Sequence, residues 1–213
     1  MDFTRAITYV FTEKDWWKKI LITGLVGIIP FVGLIYLLGW MMEIVLNVRN
    51  NSFVRLPEKP TFAIFKNGLK LTVSLLVYLI PMLIVYLFSA ILNGLWAALF
   101  RGFIERAGLQ LIALIVNVVE FFYIFLILLL LPVIIYKLLR KNVLRDTFDF
   151  KGTYHTIRYN TNVYFQLLVA AILSLIVAGV GISLFYVGVI FTLPFGVAIY
   201  SYLVGDVGKT QIV

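Results

Sequence analysis

The stretch that decides the fold runs from Tyr159 to Gly205, YNTNVYFQLLVAAILSLIVAGVGISLFYVGVIFTLPFGVAIYSYLVG, 47 residues without a charged side chain. A helix needs about 20 residues to cross about 30 Å of hydrocarbon, so this run reads as two crossings. Gly179-Val180-Gly181 is the natural turn between them.

Working outward, Leu71 to Phe100 is also free of charge, and Gly108 to Tyr136 is interrupted only by Glu120. These make two more crossings, joined by the short charged segment Arg101 to Arg106. The first apolar run, Ile20 to Met42, contains Pro30-Phe31-Val32-Gly33 and reads as one bent helix or a shallow hairpin. Charge favours the hairpin, because Lys14, Lys18 and Lys19 precede the run and Arg49 and Arg55 follow it, and cations collect on the cytoplasmic side. That threading puts sixteen of the 18 Lys and Arg inside, with both termini, and leaves only Arg101 and Arg106 outside. The +8 formal charge is then accounted for by anionic inner-leaflet lipid, with no nucleic acid partner.

Composition agrees. Of 213 residues 62% are apolar or aromatic and 13% charged, whereas a soluble domain is nearer half apolar and a quarter charged. The expected fold is an all-α polytopic membrane bundle in the cell membrane, of about six segments in three hairpins, the first short and Pro-broken. A basic amphipathic surface helix precedes each hairpin, giving units 1–50, 51–141 and 142–213 of a single transmembrane domain. The surface segments are Phe3, Ile7, Val10 and Phe11; Phe62, Ile64, Phe65 and Leu69; and Phe148, Phe150, Tyr154 and Ile157. The expected lipid-surface contacts are Trp16, Trp17, Lys18, Lys19, Lys66, Lys70, Arg140, Lys141, Arg145 and Arg158. The opening residues, with their acids and tryptophans, do not read as a cleavable leader. Pro30, Pro81, Pro132 and Pro194 fall inside apolar segments, where each should bend or break its helix.

The residues so far met in order resemble a known family. Asp2-Phe3, Trp16-Trp17-Lys18-Lys19, Ile28-Ile29-Pro30, Gly39, Leu56-Pro57, Phe62 and Gly68, then Thr192-Leu193-Pro194 and Gly205, are similar to the pattern of bacterial and archaeal membrane proteins catalogued as domain of unknown function 4013. The resemblance implies a multi-pass integral membrane protein, and brings no established activity or catalytic residue. Trp40 keeps the aromatic that follows the glycine in that family, whereas Glu43 is acidic where a basic residue often stands.

Chemistry is sparse. There is no cysteine and one histidine, His155, so thiolate and His-rich metal sites are excluded, as are a phosphate-cradling glycine loop and a Gly-x-Ser-x-Gly elbow. No catalytic, metal or cofactor residue is expected. One feature stands out: Glu120 lies about 18 Å along its helix from Gly108, close to the bilayer middle. Asn117 and Tyr123, three residues to either side, complete a candidate intramembrane polar stripe. The expected role is a non-enzymatic scaffold or subunit that packs with copies of itself or within a larger membrane complex. The alternatives are a small transporter or channel built on Glu120, and a membrane-shaping protein.

Overall fold

Three helices of the protein open in the same way. In the computed structural model, which describes residues 2–52, 56–141, 143–183 and 188–210, with Lys141, Ser183 and Thr210 by backbone alone, the Asp2 carboxylate accepts the Arg5 N–H at 3.1 Å and starts α1 (Phe3–Phe11). The Asp149 carboxylate accepts the Gly152 N–H at 2.9 Å and starts α7 (Phe150–Tyr159). At α4 (Phe62–Leu99) the Thr61 hydroxyl does the same for Ile64 at 3.3 Å. Each cap satisfies a backbone donor that no helical carbonyl can reach, and in each case a phenylalanine follows the cap.

The remaining helices are α2 (Trp16–Gly27), α3 (Val32–Arg49), α5 (Phe103–Lys141), the single turn α6 (Leu144–Thr147), α8 (Thr161–Val180) and α9 (Val189–Thr210). Among the described residues five helices, α3, α4, α5, α8 and α9, are long and apolar enough to cross a membrane. The sixth expected segment falls short, because α2 has 12 residues and spans about 18 Å. The first run is broken at Ile28 to Phe31, where Pro30 stands and Phe31 adopts a left-handed φ of 61° with its ring 85% exposed. Beyond the break α3 lies against α2: Tyr36 bonds Thr23, and Gly33 fits so closely under the Val26 and Gly27 carbonyls that a Cβ would overlap them.

A further expectation is corrected. The second surface segment is no separate helix, since Phe62 to Lys70 is the first part of continuous α4. Gly68, the residue that could have broken it, is instead held in a crossing with α3. Pro30 stands in the break between α2 and α3, whereas α4, α5 and α9 continue through Pro81, Pro132 and Pro194.

The chain divides into two compact units, Met1–Ser74 with Leu129–Val213, and Leu75–Leu128. The first is organised on α9, whose Ala198, Ile199, Leu203 and Val204 are fully buried or nearly so. Small residues let the backbones approach on several sides. Gly196 admits the Ser174 carbonyl of α8, Gly205 admits Val45 and Val48 of α3, and Gly208 admits the Tyr136 ring of α5, whose hydroxyl donates to the Val204 carbonyl. Pro194 has no N–H for the Ile190 carbonyl one turn earlier, and Gly24 of α2 packs directly on that carbonyl. Thr192 donates to the Ala178 carbonyl at 2.8 Å, tying α9 to the end of α8. The α3–α4 crossing is reciprocal: a side chain at Gly39 would overlap the Ile64 carbonyl, and one at Gly68 the Ile35 carbonyl. At the other junction Lys137 donates to the Asp149 carbonyl at 2.9 Å and to the Thr153 hydroxyl at 2.8 Å, while Ser74 and Thr147 share a bond of 3.1 Å.

The second unit is a helical hairpin made from the later part of α4 and the earlier part of α5. Gly102, at φ 72°, supplies the left-handed turn residue between them.

Candidate functional site

Several polar groups of the hairpin meet along one seam. Near the turn the Trp96 indole N–H donates to the Ile104 carbonyl at 3.1 Å, and its ring covers Gly108, where a Cβ would collide with it. Further along, Tyr86 hydrogen-bonds Glu120. Beyond that, the Tyr123 hydroxyl donates to the Tyr78 carbonyl. On the same side of α4, Asn93 Nδ2 lies 3.5 Å from the Ser89 hydroxyl, and Asn93 Oδ1 is buried with no hydrogen bond among the described residues.

This geometry redraws the predicted stripe. Glu120 and Tyr123 both reach α4 but bind different partners, and Asn117 is exposed. The reason is helical phase: three residues advance a helix by about 300°, so two such steps leave Asn117 and Tyr123 about 120° apart. Tyr78, Tyr86 and Asn93 were the missing members. A signal for them existed, because Tyr78, Tyr86, Ser89, Asn93 and Trp96 recur at helical spacing in an otherwise apolar run. Asn93 lies well inside α4.

The predicted lipid-surface residues divide. Trp17 and Lys18 are exposed, with the Lys18 ammonium 5.4 Å from the Trp17 ring centroid and 3.1 Å from Asp15. Lys66, Arg140, Arg145 and Arg158 are exposed as well, and Lys70 is half-buried. Trp16 is half-buried, edge-on to Phe11 with centroids 4.8 Å apart. The Lys141 side chain lies outside the described residues.

Lys19 is a correction. Its side chain is 8% exposed, 2.6 Å from Glu13 and 3.8 Å from Glu58, and it donates to the Leu56 carbonyl at 3.0 Å. It is an internal staple, since a charge held away from water must be paired and hydrogen-bonded. His155 is exposed and stacks on Tyr159 at 4.2 Å.

Among the described residues five helices are long and apolar enough to span a bilayer, and they define the chain as a helical protein suited to a membrane. Residues 22–187 match the family described as protein of unknown function DUF4013, and the chain belongs to that family. The match takes in Ile28-Ile29-Pro30, Gly39, Leu56-Pro57 and Gly68. It leaves α1, the Trp16 to Lys19 block and all of α9 outside. No curated protein and no solved structure matches the chain.

Proposed function

We propose that the protein is a non-enzymatic membrane subunit that assembles with further copies of itself through the outer face of the Leu75–Leu128 hairpin. The observation that carries this reading is Asn117, a primary amide exposed in the middle of a transmembrane-length helix. An amide facing hydrocarbon without a partner costs several kcal/mol, which a neighbouring helix relieves by accepting and donating hydrogen bonds. A second copy is the partner that fits, because an amide is both donor and acceptor and can pair with itself across a twofold axis. Leu114, Val118 and Phe121 beside it are exposed and supply apolar contact area.

The proposed threading sets both termini and the exposed cations Lys66, Arg140, Arg145 and Arg158 at the cytoplasmic surface, with Arg101 outside. In this reading Glu120 is a clasp between α4 and α5, supported by its bond to Tyr86. A transport role for Glu120 predicts ion flux in reconstituted vesicles that Glu120→Gln abolishes; the clasp reading predicts no such flux.

Native mass spectrometry of the protein in mild detergent tests the assembly. The expected result is a defined oligomer that Asn117→Leu converts largely to monomer. A wild-type protein that is strictly monomeric overturns the proposal.

A further inference from the structure

A second polar region lies in the first unit, where α1 meets the last turns of α3 and α9. The cavity there has a volume of about 520 Å³ and is lined by Arg5, Thr8 and Thr12 of α1, by Asn47, Asn51 and Ser52 at the end of α3, and by Lys209 of α9. Tyr9 and Tyr202, with ring centroids 4.7 Å apart, and Val48 form its apolar wall.

The charge of the lining is one-sided: it holds Arg5 and Lys209 and no carboxylate. Arg5 lies 3.0 Å from Asp2, but both are well exposed, and such pairs contribute little. Lys209 has no ion-pair partner among the described residues. A helix C-terminus ordinarily presents carbonyls that repel an anion, yet at α3 the Leu46, Asn47 and Val48 carbonyls are already used. Asn51, at a left-handed φ of 51°, turns the chain so that its N–H reaches the Val48 carbonyl at 3.2 Å and the Ser52 N–H reaches the Asn47 carbonyl at 2.9 Å. What remains facing the cavity is side-chain amide and hydroxyl.

The hydroxyls set the chemistry further. Thr8 donates its proton back to the Thr4 and Arg5 carbonyls of α1, at 3.1 Å each, so its oxygen faces the cavity as an acceptor. A ligand that satisfies this wall carries hydroxyl groups as well as negative charge.

We propose that this cavity binds the phosphate and hydroxylated headgroup of an anionic phospholipid. Arg5 and Lys209 hold the phosphate, Thr8 and the asparagines hold the headgroup hydroxyls, and Val48 with the two tyrosines contacts the glycerol and first acyl carbons. Both α3 and α9 are span-length helices that end at the cavity, which puts it at headgroup depth and favours a lipid over a soluble phosphate. The site is separate from the hairpin and does not depend on assembly.

The test uses the full-length protein in mild detergent, with retained lipid read by native mass spectrometry. Phosphatidylglycerol should be retained about tenfold more strongly than phosphatidylcholine, a preference of the size two cations near a headgroup can supply. The Arg5→Gln/Lys209→Gln double variant should lose that preference. Asn51→Gly, which keeps the left-handed turn, should reduce it several-fold, and Lys66→Gln/Arg140→Gln, with cations removed elsewhere, should keep it. Equal retention by the double variant, or equal loss in the Lys66→Gln/Arg140→Gln control, overturns the site. Glycerol 3-phosphate that displaces the lipid at equal concentration would assign the cavity to a soluble phosphate and overturn the lipid reading.

Discussion

The two units spend their polar and small residues in opposite ways. In the most apolar window of α3 56% of residues are buried within the protein, and in α9 50%, whereas in α4 the share is 11%. The first unit places glycines where backbones touch, so its helices recognise one another through close approach: Gly24 on Ile190, Gly39 on Ile64, Gly205 on Val45 and Val48. The hairpin has one such contact, Gly108 under Trp96, and is otherwise registered by side-chain hydrogen bonds. Lipid is as apolar as leucine, so apolar area alone does not specify which helices pair. Shape specifies the first unit and polar clasps specify the second, which leaves the outer face of the hairpin open to lipid or to another chain.

That contrast is sharpest when the first unit is attacked directly. Lys19→Met leaves Glu13 buried beside an apolar chain and should destabilise the fold by about 3–5 kcal/mol, with Lys19→Met/Glu13→Leu recovering much of the loss; thermal unfolding in detergent reads both. Gly39→Ala pushes a methyl into the Ile64 carbonyl and should cost about 1–3 kcal/mol in the same assay. In the hairpin Tyr86→Phe removes one clasp and should cost only about 0.6–1 kcal/mol, a cost Glu120→Gln should share if the two residues act on each other. A hairpin variant as damaging as Gly39→Ala would erase the distinction between the units. Asn117→Leu should be smaller still in its effect on unfolding of the single chain, while changing assembly.

Much of this was legible in the residues themselves. Absence of charge from Tyr159 to Gly205 marks two helices, and α8 does end at Val180, inside the expected Gly179 to Gly181 turn. The rest depended on tertiary placement. Nothing local distinguishes Lys19 from Lys18, yet one helical step of about 100° turns the first inward to Glu13 and leaves the second outside. Likewise the segment Phe62 to Leu69 reads as a surface helix apart from the crossing that follows it, and only the placement of Gly68 against the Ile35 carbonyl shows it held within continuous α4. The partner of Glu120 could not be assigned without the register of α4 against α5.

The proposed assembly is tested most directly by cross-linking in native membranes, which the absence of native cysteine makes clean. Leu114→Cys and Phe121→Cys flank Asn117 on one exposed face, and Ile176→Cys on α8 is an equally exposed control. Oxidation should yield covalent dimers from the first two and few from the third. Dimer no more abundant at 114 and 121 than at 176 would contradict self-assembly through the hairpin.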